Sequence, residues 1–283
     1  MRIIEDLHLH THVSKDSLQD PEAYAIEAIK RRIEYLGFTD HLDLDPIDKD
    51  YGYYKYENAA SDITALRNKY GDSINLLFGV EVTYQKEIEE SILKATLDKD
   101  YDFLMGSVHR LEGFTIAGAS GIPFFEGKSE ETSYRMYFEE MKNLVDMKYF
   151  QVVGHFDVIK RYGVQFYGPF LAERYKEIIL PILSEIVKNG MVLEVNSSGF
   201  RQLPNEPYPS KEILSYYTSV GGTEITVGSD AHSIKQFNLG LKEALDYALN
   251  VFDFELVAFI KKKKIRLGKI STFAEEYSFN NNL

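Results

Sequence analysis

Seven histidines are spread along the 283-residue chain. Six of them stand at or just beyond the C-terminal end of an apolar, strand-like run: His8, His10, His41, His109, His155 and His232. Glu81 and Asp230 occupy two such ends as well. Imidazole nitrogens and carboxylate oxygens are the donors that Zn, Mn and Fe accept. In Leu7-His8-Leu9-His10 and in Asp230-Ala231-His232 the donors lie two residues apart. Alternation along a strand turns such pairs to one side, where both can grip one ion. A single histidine after an apolar run is more often a hydrogen-bonded core or rim residue. The same coincidence on strand after strand requires convergence, and convergence of these donors makes a metal centre.

The runs that would position them cover residues 3–10, 35–41, 74–82, 101–109, 150–155 and 224–232. A seventh, 191–196, carries no histidine but finishes in Glu194 and Asn196. Helical patterns lie between the runs. Asp20-Pro21-Glu22 reads as an N-cap and first turn, followed by Ile26, Ile29 and Ile33 on one face. Residues 58–70, 87–97 and 130–147 read as further helices, the last with Tyr134, Phe138, Met141 and Val145 at core spacing. Residues 170–188 read as one helix, kinked at Pro181 and stopped at Asn189-Gly190. Such alternation predicts parallel strands joined by right-handed crossovers, an α/β barrel whose strand C-termini share one face. No repeat, low-complexity tract or linker interrupts it, so residues 1–283 read as a single domain. Two loop segments, 43–55 and 112–128, leave the expected active face.

Composition bounds the chemistry. A hydrophobic content of 44% fills a barrel core. The absence of cysteine removes disulfides, thiolate ligands and a cysteine nucleophile, leaving imidazole and carboxylate to hold any metal. No run of 18 apolar residues spans a membrane, and the chain opens on a charged strand rather than a signal sequence, which reads as cytoplasmic. A net charge of −12 opposes general affinity for nucleic acid, which rests on Lys and Arg displacing counterions. The one basic run, Lys261-Lys262-Lys263-Lys264-Ile265-Arg266, reads as a solvated helix end.

The motifs, taken in order, carry a resemblance. Leu7-His8-Leu9-His10-Thr11-His12, Gly37-Phe38-Thr39-Asp40-His41, Gly79-Val80-Glu81, Gly106-Ser107-Val108-His109, Gly154-His155 and Gly228-Ser229-Asp230-Ala231-His232 are similar to the ordered motifs of the polymerase and histidinol phosphatase (PHP) family. The match spans residues 7–232 and is nearest to the stand-alone histidinol-phosphate phosphatases. The resemblance implies a distorted (β/α)7 TIM-like barrel of PHP type holding two or three divalent ions. It implies one metal on His8, His10, Glu81 and Asp230, a second sharing Glu81 with His109 and His155, and a third on Asp16, His41 and His232. Asp16 departs from the pattern, since some relatives place a histidine there. A carboxylate serves the same metals. His12 matches no ligand slot and reads as a loop residue.

Phosphate-ester hydrolysis suits such a centre on its own terms. It needs a nucleophile, neutralisation of the phosphoryl oxygens and help for the leaving alkoxide, and clustered divalent ions bridged by a shared carboxylate such as Glu81 provide all three. Arginine is the natural further phosphate ligand, because its fork matches two oxygens. Arg161 and Arg201 follow expected strand ends and are the candidates, with Arg110 a weaker third. Asp16 and His232 are candidates for protonating the leaving group. The expected substrate is a small phosphate ester, and the resemblance narrows it to L-histidinol phosphate, an intermediate of histidine biosynthesis.

Rival readings fit less well. An amidohydrolase acting on C–N bonds also opens on His-x-His, but usually bridges its metals with a modified lysine on strand four, where this chain has His109. A PHP-type nuclease is disfavoured by the acid excess, and a purely structural zinc protein by the lack of local, cysteine-rich ligands. Asp43-Leu44-Asp45 resembles the Asp-x-Asp of aspartyl-phosphate phosphatases, yet the strand before it has already ended. Residues 43–50 read as a solvated acidic loop that could attract a cationic substrate.

Overall fold

The computed structural model describes residues 1–274. Its strands are β1 (Glu5–Leu9), β2 (Tyr35–Phe38), β3 (His41–Leu42), β4 (Asn75–Thr83), β5 (Phe103–Ser107), β6 (Arg110–Leu111), β7 (Phe114–Thr115), β8 (Val152–Val153), β9 (Val192–Asn196), β10 (Glu224–Gly228), β11 (Glu255–Ile260) and β12 (Lys263–Lys269). β1, β2, β4, β5, β8, β9 and β10 are neighbours in that order, all parallel. The helices are α1 (Pro21–Arg31), α2 (Tyr56–Tyr70), α3 (Glu89–Thr96), α4 (Ile122–Phe125), α5 (Glu130–Asp146), α6 (Lys160–Tyr167), α7 (Lys176–Lys188), α8 (Lys211–Ser219) and α9 (Leu241–Leu249). This is the distorted (β/α)7 TIM-like barrel that the alternation and the family resemblance predict. Most strands are shorter than the apolar runs, so His10, His109, His155 and His232 lie in the turns past strand ends, while His8 lies within β1 and His41 opens β3.

The distortion has a visible origin at the seam. In place of a ladder between β1 and β10, an isolated bridge joins Leu9 to Ala231 in the turn after β10, with His10 N donating to Ala231 O and Asp230 N to His8 O, each at 2.9 Å. Lower down, side chains replace the ladder. Glu5 accepts from Val227 N at 3.0 Å and Asp6 from Ser229 N at 2.8 Å. At the bottom, β10 pairs instead with β11, in parallel through Glu224 and Ile225.

That arrangement corrects the reading of the basic run. Residues 261–266 are no helix end: Ile260 pairs with Lys263 across a two-residue turn in an antiparallel β11–β12 hairpin. Lys261 and Lys262 both have positive φ, 51° and 63°, as the tight hairpin turn demands. Val257, Ala258 and Phe259 pack with Leu7, Leu77, Phe103, Met105, Val152 and Val192, the apolar interior of the barrel. The hairpin plugs the barrel. Its tip is fastened by Asp102, which accepts from Lys261 N at 2.9 Å and from Phe78 N at 2.8 Å and pairs with Arg67.

Two helical details also differ from expectation. On α1 the core face is Tyr24, Ala25 and Ala28, whereas Ile26 is exposed. The small alanines let the helix approach the sheet while the Tyr24 hydroxyl reaches Ala231 O at 2.9 Å. Asp20 caps α1 as expected, accepting from Glu22 N. The helix expected over 170–188 starts at Lys176, after an extended Leu171 and a 3-10 turn at Ala172–Tyr175. Phe170 is held by stacking on Tyr175, with ring centroids 5.9 Å apart, instead of by a helix. Pro181 does lie inside α7, and Asn189 with Gly190 (φ 71°) ends it.

Strand alternation then sorts the interior by height. On β4, Leu77 lies in the apolar interior and Glu81 above it. On β5 the same face carries Phe103, Met105 and Ser107, and on β9 Val192, Glu194 and Asn196. Apolar side chains occupy the plugged end, and polar ones the end where the strands terminate.

Candidate metal centre

Glu81 lies at the middle of the polar layer and is fully buried. Its Oε1 is 2.8 Å from His155 Nε2 and 3.2 Å from His109 Nε2, and accepts from Ser107 Oγ at 2.7 Å. Its Oε2 faces the other way, 3.4 Å from His8 Nε2, 3.7 Å from His10 Nε2 and 3.0 Å from His41 Nδ1. Around this carboxylate the donors fall into overlapping groups: His8, His10 and Asp230; His8, Glu81 and His155; His41, Glu81 and His109; His10, His41 and His232. Asp16 joins at the rim, its Oδ2 3.1 Å from His232 Nε2 and 3.6 Å from His41 Nε2. All of the residues singled out as metal donors thus come together.

The donor set fits cations. Glu81 Oε2 and His41 Nδ1 are buried without a hydrogen-bond partner although they face each other. Two pairs of imidazole nitrogens point at one another, His8 Nε2 at His10 Nε2 (3.0 Å) and His109 Nε2 at His155 Nε2 (3.2 Å). Electrostatics agree. Burial alone would lower the His8 imidazole's hold on a proton, but Glu194, Glu81 and Asp230 together push its pKa well above the usual value. Burial likewise favours a neutral Glu81, and His109, His8 and His41 outweigh it, holding the carboxyl well below its ordinary range. The layer attracts positive charge and keeps its carboxylates ionised.

Supporting groups orient the donors. His109 Nδ1 is 2.9 Å from Thr83 Oγ1, which donates to Asp43. His10 Nδ1 is 3.3 Å from Ser14 Oγ, which donates to the buried Asp40. Glu194 touches both His8 and His155, a role that sequence reasoning missed. The signal was present, because Glu194 and Asn196 share one face at the end of a strand, yet neither stands in a histidine motif. Two donors sit in unusual backbone: His155 has φ 20° and Asp230 φ 53°.

The donors open into a cleft of about 560 Å³ whose lining includes Asp16, His41, Glu81, Arg161, Arg201 and Asp230. Arg161 donates to Ala117 O at 2.7 Å, from the segment after β7. Arg110 is different. It is buried away from the cleft lining, donating to Asp48 at 2.7 Å and lying 3.3 Å from Asp45, so its charge is already spent. The acidic segment is accordingly more than a solvated loop: Asp45 and Asp48 hold Arg110, and Asp43, Asp48 and Asp50 line the cleft. His12 lies apart, 3.2 Å from Asp62.

The family model described as PHP domain matches residues 6–198. The chain is 28% identical over 254 residues to a probable histidinol-phosphatase of Clostridium acetobutylicum, covering 88% of this chain and 94% of the relative. It is 27% identical over 240 residues to the histidinol-phosphatase of Lactococcus lactis, covering 84% and 88%. In fold it resembles the crystal structure of histidinol phosphate phosphatase from Lactococcus lactis complexed with Zn, L-histidinol and phosphate. The TM-score is 0.84 at 24% identity, covering 92% of this chain and 98% of that one.

Proposed function

The chain belongs to the PHP domain family, and from that membership and the donor geometry we propose that it is a metal-dependent phosphomonoesterase converting L-histidinol phosphate to L-histidinol and phosphate. The observation that carries the reading is Glu81: its two oxygens face two sets of imidazoles, in the same cleft as two arginines. We assign His8, His10 and Asp230 to one divalent ion, His109 and His155 to a second with Glu81 shared, and Asp16, His41 and His232 to a third, with Zn, Mn or Fe as the metals. Ions held there would supply positive charge against the phosphoryl and leaving oxygens and a more acidic attacking water.

The chain's own side chains do the rest. Arg161 and Arg201 present guanidinium donors to the phosphate and fix its orientation. Glu81 keeps the donor sets at one spacing. Asp16 and His232, 3.1 Å apart at the cleft wall, are the candidates for delivering the proton to the leaving oxygen, a role open to each only when it is freed from the third ion. Asp43, which lines the cleft and meets the neutral Thr83 hydroxyl, favours a substrate bearing a cationic amine, whereas Asp48 and Asp50 are paired with Arg110 and Lys15.

We further propose that residues 1–283 form a single PHP-type barrel domain, that it acts in histidine biosynthesis in the cytoplasm, and that it does not engage nucleic acid. Among the described residues no helix is long and apolar enough to cross a membrane. A panel of phosphate esters tests the substrate. Phosphate should be released from L-histidinol phosphate far faster than from sugar phosphates, and single-stranded DNA should stay uncut. Efficient DNA cleavage with slow turnover of L-histidinol phosphate would favour the nuclease, and hydrolysis of amides alone the amidohydrolase.

A further inference from the structure

Glu194 is fully buried in β9 and is surrounded by donors. Its Oε1 is 2.7 Å from His8 Nδ1. Its Oε2 accepts from the main-chain N–H of His155 at 2.8 Å and from Asn196 Nδ2 at 3.1 Å. An ionised carboxylate only accepts, so the proton at the first contact belongs to His8 Nδ1. In the neutral imidazole that can ligate a metal, that choice leaves the Nε2 lone pair of His8 available, and Nε2 is the atom turned toward His10, Glu81 and Asp230.

The second contact acts on backbone. His155 sits at φ 20°, in the region that favours glycine. A side-chain-bearing residue persists there only when its surroundings hold it, and Glu194 grips its amide. Room for this arrangement comes from β10. A Cβ on Gly228 would lie 2.3 Å from Glu194 Oε1 and 2.4 Å from His8 Cβ, so the pair packs directly on glycine backbone two residues before Asp230.

We propose that Glu194 is a positioning residue that sets the tautomer of His8 and the backbone of His155 at once, aligning the donors on both sides of Glu81, and that Gly228 is required because it admits the pair. The proposal rests on reading His8 and His155 as metal ligands. Glutamine cannot replace the carboxylate, since its NH2 would face an N–H of either His8 or His155.

The test strips metal from Glu194→Gln and Gly228→Ala proteins, reloads them with Co²⁺ and measures affinity by chelator competition together with the visible ligand-field spectrum. Disturbing an outer partner of a ligating histidine typically costs about 10- to 100-fold in metal affinity, so both variants should bind Co²⁺ at least about tenfold more weakly, with an altered spectrum. A folded Glu194→Gln protein with wild-type affinity and spectrum overturns the proposal. If that variant fails to fold, wild-type cobalt binding by Gly228→Ala overturns it equally. Unchanged cobalt binding in His8→Ala and His155→Ala would instead remove the ligand reading on which it rests.

Discussion

Arg201 grips the turn that carries Asp230: its Nη2 donates to the Asp230 carbonyl at 3.2 Å and to that of Ser229 at 2.8 Å. The guanidinium proposed for phosphate is therefore anchored to the backbone of a proposed metal donor, and the two subsites share one support. Arg161 is tied elsewhere, donating to Ala117 O on the far loop at 2.7 Å.

The two arginines should consequently differ when removed. Losing a charged hydrogen-bond partner in a desolvated site typically costs about 2 to 5 kcal/mol, so alanine at either position should lower kcat/KM for L-histidinol phosphate by roughly 30-fold or more. Arg161→Ala should keep full metal content, whereas Arg201→Ala should also loosen metal. Elemental analysis and inhibition by inorganic phosphate check both statements. Neither arginine binds phosphate if both variants keep wild-type efficiency and inhibition.

Lys160 provides a test of stability. Its ammonium is fully buried, 2.9 Å from Asp157 and 2.8 Å from Glu206, and donates to Pro207 O at 3.1 Å. Lys160→Met would leave both carboxylates without their cation. Breaking a buried pair costs about 3–5 kcal/mol, and the partial exposure of Glu206 places this case at the lower end. Urea denaturation should show the midpoint falling by a corresponding amount, and an unchanged midpoint would show that the network does not support the fold.

The barrel plug predicts an effect far from the chemistry. Phe259 packs 6.4 Å from Phe103 between ring centroids at the apolar end. Phe259→Ala should cost about 3–5 kcal/mol in unfolding free energy. Metal affinity and kcat/KM below the unfolding transition should stay near wild type, because the polar layer lies at the opposite end of the strands. Loss of metal in a folded Phe259→Ala protein would show that the two ends are coupled.

The donors were legible in the sequence for a physical reason. Parallel strands deliver their C-terminal ends to one face, so His41, Glu81, His109, His155 and Asp230 could be placed together from their position after apolar runs. Glu194 was less legible because its importance lies in accepting from other side chains and from backbone, which no spacing encodes. The hairpin was misread because four successive lysines suit a helix end as well as a turn. The deciding facts, positive φ at Lys261 and Lys262 and packing of Phe259 inside the barrel, are tertiary. On α1 the isoleucine spacing pointed to a core face in part: Ile33 is buried and Ile29 packs against the core, but Ile26 is exposed and Tyr24, Ala25 and Ala28 form the buried face of the helix.

Glu81 allows the bridging assignment to be tested by itself. Glu81→Gln keeps the shape but removes the charge shared between the donor sets, so bound metal and turnover should both fall sharply. Wild-type stoichiometry with normal activity would mean that Glu81 bridges nothing.

In the proposed function this cleft hydrolyses L-histidinol phosphate with bound divalent metal. The most direct measurement is phosphate release from that substrate by protein stripped with a chelator, then reloaded separately with Zn, Mn or Fe. Release should vanish on stripping and return on reloading with at least one of these ions. Hydrolysis that persists undiminished in protein verified to be metal-free would rule out the metal-dependent phosphatase, as would reloaded protein that leaves L-histidinol phosphate intact.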